Sequence, residues 1–224
     1  MTVYTALLID DHPIITNAYE SAFHDVQKED ETVSFTIHIA HNCDTAYEVI
    51  KEHSEKGTNL DVVFLDMSLP ASKDKKILSG EDLGLKINEM LPASRIIVAT
   101  AFNDNYRIHS IFKNLNPDGF LIKNDIDPEV LITSVKEVLR EPPYYSKTVS
   151  RLLRTRICSD FLLDDIDRRI LYELSIGTKM KDIENVPLSV HGIEKRKRLL
   201  KEIFNIKGSD DRELIFVAKE KGFI

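Results

Sequence analysis

The sequence has no apolar run approaching the length of a membrane span, and its N-terminus carries no signal-peptide pattern. Neither a membrane-spanning nor a secreted protein is expected. Cysteine is scarce: Cys43 and Cys158 stand far apart, which argues against a disulfide framework and fits a reducing cytoplasm. No Cys/His cluster has the spacing of a zinc site. There is no internal repeat and no low-complexity tract, so a repeat architecture is not expected either.

What is present suits a globular protein. The 224 residues are 42% hydrophobic, enough for one large packed domain or two small ones. The net charge of −7 is unevenly spread. Residues 1–146 hold 13 basic against 24 acidic side chains (−11), and residues 147–224 hold 17 against 13 (+4). An acidic front and a basic back predict two domains with different partners.

The front alternates strand and helix patterns, as a doubly wound parallel sheet requires. Asp61-Val-Val-Phe-Leu-Asp66 has four consecutive apolar residues, the pattern of a strand buried on both faces. Similar strands are expected at Tyr4–Asp10, Phe35–Ile39, Ile96–Thr100 and Phe120–Lys123. The intervening helices begin after His12-Pro13, cover Asp44–Ile50 and end near Gly57, then span roughly Gly80–Met90 and Asp104–Leu115. A fifth helix opens at Pro128 and shows the apolar stripe Val130, Leu131, Val135, Val138 and Leu139.

Glu141-Pro142-Pro143 stops that helix, and residues 141–158 read as a linker between a domain of residues 1–140 and one of residues 159–224. No strand pattern follows. Asp165–Ser175 reads as a helix stopped at Gly177, Lys179–Glu184 as one short turn broken before Pro187, and Ser189 as the N-cap of a helix reaching Phe204. A last helix starts at Asp210 or Asp211 and ends at Lys221-Gly222.

In parallel sheets reactive groups gather at the carboxyl ends of strands. Here those ends carry Asp10-Asp11, Asp66, Thr100 and Lys123, four polar termini expected to converge on one site. Three carboxylates suit a hard divalent ion such as Mg²⁺, which keeps waters for a phosphorylated ligand. Such an ion would hold a phosphoryl donor in line with Asp66, whose carboxylate attacks to form an aspartyl-phosphate. Lys123 would neutralise one phosphoryl oxygen and Thr100 would donate a hydrogen bond to another. Any one of these residues alone is more often turn chemistry than a reactive group; the set in its order is what points to a site.

On these residues the chain resembles the response regulators of two-component signalling, over essentially its whole length. The matching positions are Asp10-Asp11, Asp66 with Pro70 four residues on, Thr100-Ala101, and Phe120 three residues before Lys123; Ile9-Asp-Asp-His-Pro-Ile14 is similar to the NarL/FixJ subgroup. The resemblance implies a flavodoxin-like receiver with a five-stranded parallel sheet, followed by a small all-α helix-turn-helix domain. It implies Asp66 as phosphoacceptor, Asp11 and Asp66 as metal ligands with the Ser68 carbonyl, and Asp10 acting mainly through water. Thr100 and Phe120 would be the switch pair, Phe120 lacking the hydroxyl of the commoner Tyr. The implied activity is self-phosphorylation and dephosphorylation at Asp66 only. The implied partners are a sensor histidine kinase, double-stranded DNA and, once phosphorylated, a second copy of the chain, all in the cytoplasm. One departure is the long loop Ala71–Ser79, whose Lys73, Lys75 and Lys76 border the acidic site as a solvated loop or as a kinase contact.

The tail resembles the LuxR-type helix-turn-helix of the same group at Ile170-Leu171, Gly177, Lys181-Asp-Ile183, Ser189, Ile193 and the Phe204–Ile206 pair. Ile193, Leu200, Ile203 and Phe204 share one face of the Ser189–Phe204 helix, and Lys195, Lys197, Arg198 and Lys201 lie away from it, as an anion-binding face would. The resemblance adds Lys181, Ser189, His191 and Glu194 to the expected DNA contacts. Departures are a segment one residue short between Ile183 and Ser189, the intruding Pro187, Glu184 in place of a small residue, Gly192 in place of Thr, and Glu194 in place of Lys. Glu194 would repel phosphate or accept from a cytosine amine. These departures leave open a second reading, a tail that binds a protein. A third, a phosphatase of the haloacid-dehalogenase type, wants Asp-x-Asp after its first strand where this chain has Asp10-Asp11-His12.

Overall fold

A computed structural model describes residues 1–102, 105–154, 163–183, 186–204, 206, 208 and 210–224. Cys158, Glu184, Asp104 and the end of the expected linker lie outside these. Two compact units make up the chain: Met1–Asn103 with Ile111–Arg156, and Ile157–Ile224 with Asp104–Ser110.

The first unit is built on strands β1 (Thr2–Ile9), β2 (Val33–Ala40), β3 (Val62–Asp66), β4 (Arg95–Thr100), β5 (Gly119–Ile122) and β6 (Tyr144–Tyr145), with helices α1 (Pro13–Glu29), α2 (Cys43–Lys56), α3 (Gly80–Met90), the end of α4 (Asn105–Leu115) from Ile111 on, α5 (Pro128–Arg140) and α6 (Lys147–Arg154). The sheet is parallel in the order β2-β1-β3-β4-β5-β6. Every residue of β3 is buried, as its unbroken apolar run requires when helices cover both faces. One side of the core stacks Tyr19 of α1 on Phe64 at 4.6 Å, with Phe23 edge-on to the same ring at 5.9 Å.

Helix ends follow local chemistry. Asn42 caps α2 by accepting from the Thr45 N–H, and Gly57 closes it at φ +65°. Asp127 caps α5 ahead of Pro128. The register pairs Ile9 with Leu65, Leu65 with Val98 and Thr100 with Ile122, so the strands end level with one another. Asp10, Asp66, Thr100 and Lys123 are thereby delivered to one edge.

Two expectations are corrected. The sheet has six strands rather than five, and the stretch read as linker carries β6 and α6. Once Pro142-Pro143 has ended α5, the Tyr144 N–H donates to the Asp118 carbonyl and the Ser146 N–H to the Phe120 carbonyl. The open edge of β5 is satisfied by two residues too short to form a recognisable strand pattern. The long loop is also more than a solvated excursion. Ile77 and Ser72 are buried, the Ser72 N–H donates to the Ile77 carbonyl, and the Lys73 N–H reaches Asp44. The Lys76 ammonium pairs with Asp74 within the loop.

The second unit holds α7 (Asp165–Ser175), a short 3-10 turn at Met180–Asp182, α8 (Val190–Ile203) and α9 (Asp211–Glu220). Gly177 follows α7 at φ +85°, and Ser189 caps α8 by accepting from the Gly192 N–H. Leu171, Leu200, Leu214 and Ala218 pack one apolar cluster; Ile170, Leu174, Ile183 and Ile193 pack a second.

Candidate functional site

Three of the four strand ends are tied together directly. The Lys123 ammonium sits 2.7 Å from Asp10 Oδ2 and 2.9 Å from Asp66 Oδ2. Asp10 and Asp66 are buried, so the amine supplies the positive charge that lets two carboxylates share one pocket. Asp66 Oδ1 accepts from the Ser68 N–H at 3.1 Å. Burial raises the Asp66 carboxyl above its usual value, with Lys123 and the Ser68 N–H opposing. Burial would lower the Lys123 amine, but its hydrogen bonds and charge attraction to Asp10 and Asp66 more than offset this and hold it above its ordinary value.

Around Asp10 stand groups that sequence reasoning did not single out. The Tyr19 hydroxyl lies 3.5 Å from Asp10 Oδ2 and is pushed up first by burial, then by the Asp10 charge. His41 Nδ1 lies 3.0 Å from the Asp10 carbonyl oxygen. His12 donates its N–H to Asp10 Oδ1 at 3.0 Å, and its Nδ1 stands 2.7 Å from Asp11 Oδ1.

Among the described residues, Asp10, Asp11 and His12 place ligand-type atoms within 4.8 Å of one another. Asp11 Oδ1 is buried, and its close polar neighbour is the His12 ring nitrogen at 2.7 Å. Two carboxylates and an imidazole nitrogen crowded together are donors that a bound cation would satisfy, so the residues fit a divalent metal. The expected set of Asp10, Asp11, Asp66 and Ser68 differs from this group: His12 joins it, and Asp66 meets it through Lys123.

Thr100 is buried and its hydroxyl accepts from the Phe102 N–H at 3.1 Å. Phe120 is fully buried, its ring 5.0 Å from that of Phe112 on α4. Gly80, which opens α3, is another residue whose role no local pattern announced: a Cβ there would fall 1.8 Å from the Asp66 carbonyl oxygen.

In the second unit the expected DNA-contacting residues divide into two groups. His191, Lys195 and Arg198 are exposed along the side of α8 opposite the buried Ile193 and Leu200, and Lys181 is exposed on the 3-10 turn. Lys197 and Lys201 are instead held 2.8 and 2.7 Å from the two oxygens of Asp211 on α9. Ser189 serves as the cap, and Glu194 is half-buried. Arg196 bridges Asp164 at 2.7 Å and Asp167 at 3.0 Å, packing α8 against the start of α7.

No protein-family model matches the chain. It is 25% identical to the oxygen regulatory protein NreC of Staphylococcus epidermidis over 229 residues, covering 96% of each chain. It is 22% identical to the nitrate/nitrite response regulator protein NarP of Escherichia coli over 225 residues, covering 97% of this chain and 96% of that one. Its fold is similar to the solved structure of RcsB from Salmonella enterica serovar Typhimurium bound to promoter rprA in the presence of phosphomimetic BeF3⁻. That match has a TM-score of 0.67 at 19% identity and covers 97% of this chain and 99% of the other.

Proposed function

We infer that this chain, a two-component response regulator of the NarL/FixJ type, takes a phosphoryl group on Asp66 from a sensor histidine kinase and in response binds double-stranded DNA to regulate transcription. The observation that carries the reading is Lys123 held between Asp66 and Asp10 at the level ends of a parallel sheet. Receiver function is assigned to residues 1–140 together with β6 and α6, and output function to residues 159–224. The reaction belongs in the cytoplasm and is confined to self-phosphorylation and dephosphorylation.

An Asp66 carboxylate oxygen attacks phosphorus in line with the leaving imidazole; the O–P bond forms as the P–N bond of the kinase phosphohistidine breaks, and the imidazole keeps the electron pair and takes a proton. The Ser68 N–H holds Asp66 Oδ1 in place during the attack. Lys123 leaves the carboxylate pair to meet the new phosphoryl oxygen, and the Thr100 hydroxyl turns from its role as acceptor for Phe102 to donate to another. Asp10, Asp11 and Asp66, with the Ser68 carbonyl, would hold Mg²⁺, which supplies positive charge against the phosphoryl oxygens when bound. This shift of the Thr100 hydroxyl toward the phosphoryl group starts the switch, and Phe120 and the α4–β5–α5 face rearrange to promote homodimer formation.

The DNA contacts are assigned to Lys181, His191, Lys195 and Arg198, with Glu194 as a base-reading or repelling acid. A second reading, a protein partner for the tail, is favoured by one observation. Leu188, Gly192 and Leu199, rimmed by Lys195, Arg196, Arg198 and Glu202, line a cavity of about 460 Å³ beside α8, and Leu199 is 38% exposed.

Acetyl phosphate with Mg²⁺ is expected to add one phosphoryl group, read by intact-mass spectrometry, and Asp66→Asn or Asp66→Ala to abolish it. Full labelling of Asp66→Ala would sink the assignment. Fluorescence anisotropy of the phosphorylated protein on mixed genomic fragments tests the output: the absence of any salt-sensitive binding would hand the tail to the protein-partner reading.

A further inference from the structure

Lys123 does not lie on a strand. It opens a one-turn 3-10 helix, Lys123–Asp125, immediately after β5. A turn that short has little hydrogen bonding of its own to fix where a long amine points. Asp10 and Asp66 hold the ammonium itself, and the bonds that hold the turn carrying it come from the β6–α6 segment.

Asp125 accepts three hydrogen bonds there: from the Ser146 hydroxyl at 2.6 Å, the Thr148 N–H at 2.9 Å and the Thr148 hydroxyl at 2.9 Å. The Thr148 N–H belongs to the first turn of α6, where amides lack intrahelical partners and a carboxylate is favoured by the helix dipole. Ser146 is buried, and its hydroxyl also accepts from the Ile122 N–H at 3.3 Å. One side chain thus bonds the residue just before Lys123 and the residue two after it.

A separate contact leads to the same place. Phe120, fully buried on β5, packs on Phe112 with ring centroids 5.0 Å apart, and Phe112 meets Tyr145 of β6 edge-on at 5.0 Å. Residues 145–148 therefore touch both the Lys123 turn and the aromatic pair that contains Phe120.

We propose that Asp125 is a positioning residue, clasping the Lys123 turn to the start of α6 so that the placement of Lys123 and the docking of β6–α6 are one coupled equilibrium. The inference rests on Asp66 as phosphoacceptor. Coupling of this kind is reciprocal. If the clasp places Lys123 for the phosphoryl oxygen, a ligand that engages Lys123 tightens α6, and loss of the clasp weakens that ligand by the same factor.

The test uses the full chain with Mg²⁺ and BeF3⁻ as a phosphoryl mimic. Affinity is read as the BeF3⁻ concentration that half-blocks acetyl phosphate labelling, and α6 docking as hydrogen exchange of residues 147–150. For the wild type, BeF3⁻ is expected to slow exchange in α6. Asp125→Ala should weaken BeF3⁻ about tenfold, within the usual range of coupling between sites, and remove the exchange response. Thr148→Val keeps shape and fold while deleting one of the three bonds, and should give a smaller loss of the same kind; Asp125→Asn, which keeps an acceptor for the Thr148 N–H, should recover part of it. Unchanged BeF3⁻ affinity in Asp125→Ala and Thr148→Val, or an α6 response to BeF3⁻ that survives without the clasp, overturns the proposal while leaving Asp66 as phosphoacceptor intact. A wild type that neither labels on Asp66 nor responds to BeF3⁻ overturns the phosphoacceptor reading itself, and the proposal with it.

Discussion

Gly80, the first residue of α3, and Asp66 share a contact with no room for a single added carbon: a Cβ on Gly80 would lie 1.8 Å from the Asp66 carbonyl oxygen and 2.9 Å from the Met67 Cα. Both obstacles are backbone, so no side-chain rotation relieves the clash. Gly80→Ala must push α3 off the end of β3 or drag Asp66 out of line with Lys123. It is expected to cost about 1–3 kcal/mol of stability, as overpacking does, and to slow acetyl phosphate labelling more than a matched Gly57→Ala, whose strain is remote from the site. Equal labelling rates in the two variants would refute the placement role of Gly80.

A metal held by Asp10 and Asp66 would compete with Lys123 for the same carboxylates. Asp11→Ala removes a ligand and is expected to weaken Mn²⁺ or Mg²⁺ binding by roughly tenfold or more, since even indirect partners of metal ligands cost that much. Lys123→Ala removes a positive charge lying 2.7 Å from Asp10 and 2.9 Å from Asp66, and should leave affinity unchanged or raise it. The same variant leaves two buried carboxylates unpaired, so it should melt earlier and recover with added Mg²⁺. Metal titration with matched thermal melts is the check; equal losses of affinity in both variants would contradict this division of roles.

The pH dependence of the second unit has one clear contributor. Burial first, then the Asp164 charge, pushes Asp167 up to about 6, although Arg196 opposes it. An unfolded Asp titrates near ~3.9. Between these values the folded chain holds more protons than the unfolded one, so this group's contribution to stability falls as pH rises from about 4 to about 6. The loss is at most about 3 kcal/mol, and Asp164, held below the usual range despite burial by the Asp167 N–H and Arg196, offsets part of it. Asp167→Asn should flatten the wild-type melting curve against pH in that window. A wild type and variant running parallel from pH 4 to 7 would exclude this source.

Charge alone does not decide which basic side chains on α8 meet DNA. Lys195 and Arg198 are exposed, whereas Lys197 and Lys201 are paired with Asp211. Lys195→Ala and Arg198→Ala are each expected to lower the slope of log affinity against log salt by about 0.9, with Lys197→Ala doing less. Asp211→Ala removes a carboxylate that pairs with Lys197 and Lys201, and Glu194→Lys removes a repulsion, so both should raise non-specific affinity. Salt-series anisotropy in which Lys197→Ala matches Arg198→Ala would show that the Asp211 pairs open on binding.

The strand ends were legible because they depend on local pattern and one topological rule. An unbroken apolar run such as Val62–Leu65 can only be satisfied inside a covered parallel sheet, and parallel strands put their carboxyl ends on one side. Asp10, Asp66, Thr100 and Lys123 follow from that with no knowledge of a distant contact. Helix ends marked by Gly57, Pro128 and Ser189 were legible for the same reason, since each signal acts on amides or carbonyls within a few residues.

What the tertiary structure alone decided lies in contacts between residues far apart in the chain. Tyr144-Tyr145 is too short to carry a strand period, and it becomes β6 only because the edge of β5 offers it partners. His12 gives no sign of joining the acidic cluster until its ring nitrogen is seen 2.7 Å from Asp11 Oδ1. Gly80 is an ordinary helix opener until the end of β3 lies against it. Helical periodicity sets Lys195, Lys197, Arg198 and Lys201 alike off the apolar stripe of α8, and only the arrival of Asp211 on another helix separates the paired cations from the exposed ones. A side chain's direction follows from its own helix or strand; whether its charge is already satisfied depends on which other element packs beside it.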